Sequence, residues 1–309
     1  MERQIQVMLA QADQYMRLAN WRGAIDLCRS ALTIDPDHAQ AHALLALALL
    51  GAKRLAGAEI ESRLALTSDP DLALAHYAAA SVLFARRKLD DAWAHCLIAL
   101  QANTHDVDAH VLGASIRDLR GEPGAARELL EQALAIEPAH TDALVRFARL
   151  ELDAHRYDLA ARYADEALRT KPEDIGAHVI AGFVELVRGD DARAEEHARF
   201  ALNQDSTDRS ALHLWAAIKA HRSWTLGLWW RLNTWVSLRS ERGQIAMLIG
   251  SFVVVQLAII LSGAVGLPML ERFLRWSWLG FCAYTWFAPE LFKRWLANDL
   301  GKVTLDPDY

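Results

Sequence analysis

Along the first two-thirds of the chain, apolar positions recur at helical spacing in runs of about a dozen residues. Residues 41–50 form one such run and residues 58–66 the next. Short turns rich in charge or glycine separate them, as in Arg86-Arg87-Lys88-Leu89-Asp90 and Arg188-Gly189-Asp190-Asp191. The runs come in pairs, and the pairs keep a beat of 34 residues. Pro36, Pro70, Pro138 and Pro172 stand on that grid, with Thr104 and Ser206 in its two other slots. Twelve residues before each grid point stand Ala24, Ala58, Ala92, Ala126, Ala160 and Ala194; five before stand Ala31, Ala65, Ala99, Ala133, Ala167 and Ala201. Self-similarity at such a period predicts a solenoid of helix pairs. Its units are 5–38, 39–72, 73–106, 107–140, 141–174 and 175–208.

The grid residues have physical work to do. A small side chain where two helices cross lets their axes approach to about 8–10 Å. Proline cannot continue a helix and turns its predecessor away from helical dihedrals, so it closes each unit. Asp37, Asp71 and Asp174 near the prolines are expected to cap the following helix. Residues 209–222 continue the pattern for one more helix, which is expected to cover the open end of the array.

Period, alanine ladder and closing proline together resemble the tetratricopeptide repeat (TPR) family over residues 5–208. The resemblance implies an all-α fold, a right-handed TPR superhelix, with the first helix of each unit lining a concave wall. Carried onto this chain, that wall comprises Leu47, Leu50, Tyr77, Ser81, Phe84, Val111, Ser115, Arg146, Arg149, Val179 and Phe183. It is apolar in units two and three, with two arginines in unit five. The Lys/Asn/Arg set with which chaperone-binding members hold a terminal carboxylate is missing from the first three units' wall positions. An amphipathic helix or extended apolar segment with an acidic residue suits the wall better; inter-repeat packing is the competing role for each of these residues. The family's early aromatic is replaced by His42, His76, His110 and His178. Equivalent atoms in stacked repeats lie roughly 10 Å apart, too far to share one zinc with ligand distances of about 2.0–2.1 Å. These histidines are therefore expected to pack, and neither a metal nor a cofactor is expected.

The remaining third changes solvent. No charge occurs from residue 243 to residue 270, long enough for a helix to cross about 30 Å of hydrocarbon. A span over 244–265 is expected, with a second over 273–292 if Arg275 and Glu290 reach the two interfaces. Arg239, Arg242, Lys293 and Arg294 at the flanks place both ends of such a hairpin in the cytoplasm. A single span with the second segment lying on the far surface is the rival. Residues 223–242 read as an interfacial amphipathic helix, with Trp224, Trp229 and Trp235 at headgroup level and Arg231 and Arg239 toward anionic lipid. Its rival is a helix docked on the last repeat. The membrane region is thus expected over 243–292, followed by a polar tail over 293–309.

Composition sharpens this division. Nine of the eleven tryptophans lie at or beyond Trp215, and residues 209–309 carry a net charge of +5 against −11 for residues 1–208. The acidic repeats argue against nucleic acid. Cys28, Cys96 and Cys282 show no pairing or metal spacing, consistent with a reduced compartment, and residues 1–6 lack the apolar core of a signal peptide. No phosphate loop, His-Glu-x-x-His run or paired-Cys spacing occurs, so catalysis is not expected. The chain reads as a scaffold that binds a protein partner at the cytoplasmic membrane surface. Two alternatives stay open: an assembly or chaperone-like factor for membrane proteins, and a non-catalytic subunit of a membrane enzyme or secretion complex.

Overall fold

The structure, a computed structural model, describes residues 1–222 together with positions 256, 257, 259–261, 269, 272 and 275–279. Residues 1–222 hold thirteen helices. Six antiparallel pairs run α1 (Glu2–Arg17) with α2 (Trp21–Ile34), α3 (Ala39–Gly51) with α4 (Leu55–Ser68), and α5 (Ala73–Ala85) with α6 (Leu89–Ala102). They continue as α7 (Val107–Leu119) with α8 (Pro123–Ile136), α9 (Thr141–Asp153) with α10 (Tyr157–Thr170), and α11 (Ile175–Arg188) with α12 (Asp191–Gln204). Helix α13 (Arg209–Arg222) follows. The chain divides between Ile180 and Ala181 into two compact units.

Each first helix ends in the same way. Ala19, Lys53, Arg87, Gly121, His155 and Gly189, spaced 34 residues apart, all have positive φ. At each, two backbone bonds close the helix: Lys53 N–H donates to Leu50 C=O at 2.9 Å and Arg54 N–H to Leu49 C=O at 2.8 Å. This is the Schellman arrangement, in which a left-handed residue lets the chain double back while the last carbonyls stay bonded. The very next residue is already the N-cap of the second helix, so the turn has no slack. Only at Asn20 and Asp190 does the side chain of that residue cap the helix, accepting from Gly23 N–H and Arg193 N–H.

The second helices end two residues before the grid point, and the capping expectation needs correcting there. Asp37 and Asp71 cap nothing; their own N–H groups donate to the Asp35 and Asp69 carboxylates, forming a tight turn after each helix. The cap falls two residues after the grid point, on the Nδ1 atoms of His38 and His140 and the carboxylates of Asp106, Asp174 and Asp208. Of the three expected aspartates, Asp174 alone occupies that place. The side-chain-bonded turn uses up the two residues around the proline, which pushes the cap position along by one.

All twelve grid alanines are at most 1 % exposed. In the first unit, each helix pair packs on the first helix of the next: α1 and α2 on α3, α3 and α4 on α5, α5 and α6 on α7, α7 and α8 on α9. Consecutive second helices make no comparable contact, so this part of the array curves with its first helices on the inner side. One buried charge sits among these contacts. Glu151, fully buried on α9, forms ion pairs with Arg127 of α8 and Arg156. One repeat earlier the same two positions hold Arg117 and Glu122, paired with the signs exchanged.

In the second unit, Gly182 takes the place that alanine holds elsewhere. A Cβ there would collide with the Leu214 side chain and meet His197 Cβ at 3.2 Å, so the smallest residue lets these helices close. At the end of α13, His221 Nδ1 lies 2.9 Å from Asp191 Oδ1, and Arg222 pairs with Glu195.

Among the described residues, no helix is long and apolar enough to cross a membrane. The expected interfacial helix and most of the two expected spans lie outside the described residues.

Candidate functional site

The inner side of the first unit is built from the first helices, and the residues expected to form the wall lie on them: Leu47 and Leu50 on α3, Tyr77, Ser81 and Phe84 on α5, Val111 and Ser115 on α7, Arg146 and Arg149 on α9. They differ in what they can offer a partner. Ser81, Val111 and Ser115 are buried, and the two hydroxyls donate back to the Tyr77 and Val111 carbonyls at 2.9 and 2.8 Å. Val111 packs with Phe147 and Leu150 in the core between repeats. Leu47, Leu50, Tyr77 and Phe84 remain half-buried and Arg146 is exposed. Arg146 has no ion pair among the described residues, and Arg149, half-buried, lies near the Asp153 carboxylate. On α11, Val179 is fully buried, whereas the Phe183 ring lies 5.5 Å from that of His213.

The wall also carries acid that periodicity does not reveal. Burial first, then the Asp108 and Asp106 carboxylates, push the Tyr77 phenol well above its ordinary range. Asp108 bonds to His140, with Oδ1 and Nε2 3.4 Å apart, and this bond holds its carboxyl below the usual value; Arg17 of α1 adds to the effect. The first unit therefore presents carboxylates at the start of α7 and a free guanidinium on α9. No spacing rule points to this, because the groups come from different repeats.

The four grid histidines share one task. His42, His76, His110 and His178 each direct Nε2 at the carbonyl six residues earlier, on Pro36, Pro70, Thr104 and Pro172, at 2.8 to 3.0 Å. A carbonyl only accepts, so Nε2 carries the proton. Each ring thus ties the loop that closes one repeat to the first helix of the next. Nδ1 then faces the second helix nineteen residues on: Glu61 at 2.6 Å from His42, and His95 at 2.9 Å from His76. Leu129 stands at that place for His110, whose Nδ1 is buried without a hydrogen-bond partner. Among the described residues no group of three or more His, Cys, Asp or Glu converges as a metal site. Burial raises the Cys28 and Cys96 thiols to about 12, which keeps both protonated.

The residues expected at the membrane interface, Trp224, Trp229, Trp235, Arg231 and Arg239, lie outside the described residues. Several described positions further on are helical, and six carry large apolar side chains open to solvent: Leu257, Ile260, Leu261, Met269, Trp276 and Leu279.

Models of the tetratricopeptide repeat match residues 9–73 and 119–178. No curated protein matches the chain by sequence. Among solved structures, pilF of Pseudomonas aeruginosa aligns at a TM-score of 0.54 and 20% identity, covering 70% of this chain and 98% of its own. A thermophilic TPR protein of Thermus thermophilus aligns at 0.53 and 22%, covering 59% and 99%. PilW, a type IV pilus biogenesis factor, aligns at 0.55 and 20%, covering 68% and 98%. At these identities the likeness is one of fold. With two matching repeat models and helix pairs on a 34-residue beat, the repeat region of the chain is built of tetratricopeptide repeats.

Proposed function

We propose that this chain is a non-catalytic scaffold, held at a membrane by its carboxyl-terminal third, that gathers a protein partner on the first-helix wall of its repeats. The observation that carries the binding part is the wall's mixture of accessible apolar surface at Leu47, Leu50, Tyr77 and Phe84 with the unpaired, exposed Arg146. Half-buried aromatic rings supply contact area at little entropic cost, and an exposed guanidinium selects for acid. The partner segment is an amphipathic helix or extended chain whose acidic residue meets Arg146 and Arg149.

Support for the tether is the charge-free run from 243 to 270 and the open apolar side chains described within it and just beyond it. Large apolar side chains grouped in this way mark surfaces that meet lipid or protein. The basic flanks Arg239, Arg242, Lys293 and Arg294 favour a cytoplasmic repeat region. Confinement to the bilayer surface raises the effective concentration of any partner that shares it.

Pull-down from solubilised membranes tests the wall, comparing the natural chain with a Phe84→Asp, Arg149→Glu double variant whose helical circular dichroism is intact. Loss of specific partners is the expected result. An unchanged partner set would place binding elsewhere.

A further inference from the structure

A second site lies on another face of the first unit. Helices α6 and α8 do not pack closely, and between them runs a cleft of about 520 Å³, a size that suits a compact side chain or small ligand. Its walls are Trp93, Leu97 and Leu100 on one side and Leu129 and Ile136 on the other, with His110 of α7 also lining it. Arg117 lies 3.8 Å from the centre of the Trp93 ring and holds that ring in the wall.

The lining surface is mostly apolar, although Gln101, Thr104, His105 and Gln132 also border it, and one buried polar atom stands apart from these. His110 is only 6 % exposed, and its Nδ1 is buried without a partner. Its Nε2–H is committed to the Thr104 carbonyl at 3.0 Å, so in the neutral ring Nδ1 is an acceptor. The equivalent atoms of His42 and His76 face Glu61 and His95; here the facing residue is Leu129, which itself lines the cleft. A repeat that keeps the histidine but drops its partner leaves one acceptor beside an apolar slot.

We propose that this cleft is a docking site for a tryptophan side chain presented by a basic peptide segment. An indole has the apolar body the walls require and a single donor, with no acceptor left over. Its N–H supplies what the His110 Nδ1 atom wants. Asp91, Glu128 and Glu131 are exposed on the two cleft helices, while Arg127 on α8 is engaged with Glu151, so flanking cations on the segment are favoured. The site is distinct from the first-helix wall and does not depend on it.

The test is calorimetric titration of the full-length protein in detergent with the peptide Lys-Ser-Trp-Ser-Lys and its 1-methyltryptophan counterpart. The two probes differ only in the methyl group that replaces the indole N–H hydrogen. The unmodified peptide should bind about tenfold more tightly, the range expected for one hydrogen bond to a buried acceptor. Leu129→His, which gives His110 the internal partner that His76 already has, should remove that difference without lowering the melting temperature. Equal affinity for the two peptides, absence of binding at millimolar concentration, or an unchanged preference in Leu129→His would each overturn the proposal. The comparison of the two peptides stands even if that variant does not fold.

Discussion

Six residues turn the chain out of the first helices through positive φ, and only Gly121 and Gly189 do so without a side chain. At Ala19, Lys53, Arg87 and His155 the Cβ crowds the following carbonyl, which costs roughly 1–2 kcal/mol in the left-handed region. Glycine removes that strain but widens the unfolded ensemble. The balance predicts that Ala19→Gly and Lys53→Gly each stabilise by about 1 kcal/mol or less, and that Gly121→Ala destabilises by a similar amount. Urea midpoints of the three variants check this; the same sign for all three would contradict the turn's role. The sequence announced these places as turns through charge and glycine, but not their handedness. That depends on the second helix being capped at the very next residue, which only the backbone path reveals.

Pairs of helices are joined by groups that periodicity marks without explaining. His76 clasps the Pro70 carbonyl through Nε2 and meets His95 of α6 through Nδ1, linking a loop and both helices of one repeat. Burial first, and the neighbouring His76 second, hold His95 below its ordinary value, against the opposing pull of Asp91. The unfolded chain then binds this proton more readily than the folded one. Stability from the pair is complete above the unfolded value of ~6.5 and is lost as pH falls through the lowered folded one. His95→Gln should therefore flatten the fall in melting temperature between pH 7.5 and 5.5, measured by circular dichroism beside the natural chain; an identical fall would remove His95 from the pH response. The four histidines were legible as packing residues at the family's aromatic position. Their hydrogen bonds were not, because the second partner stands nineteen residues away on another helix.

At the scale of the molecule, the proposed membrane tether assigns the repeats and the carboxyl-terminal third to different solvents. Full-length chain should stay with membranes through an alkaline carbonate wash, and a chain ending at Arg222 should be released while keeping its helical spectrum. Release of the full-length chain by carbonate would sink the spanning segments, though a peripheral contact through residues 223–242 could survive. Exchanging residues 243–292 for an unrelated hairpin then separates a plain tether, which keeps partner binding, from a membrane segment that recognises a client.

What the sequence determined by itself was the architecture of residues 1–222: a 34-residue beat, small residues at every crossing and a closing residue at every slot leave helix pairs little else to form. The expected wall residues lie on first helices, because helix and phase follow from the same beat. Tertiary structure alone decided which of them remain accessible. Ser81 and Ser115 turn their hydroxyls to their own helix, Arg146 stays open, and Asp108 and His140 bring charge from the two ends of one repeat to one place. It also decided that Glu151 is buried between two arginines, and that His110 faces a leucine across a cleft. Periodicity fixes what repeats, since every repeat meets the same backbone geometry. Binding chemistry resides in what does not repeat, and its groups meet only when separate repeats pack.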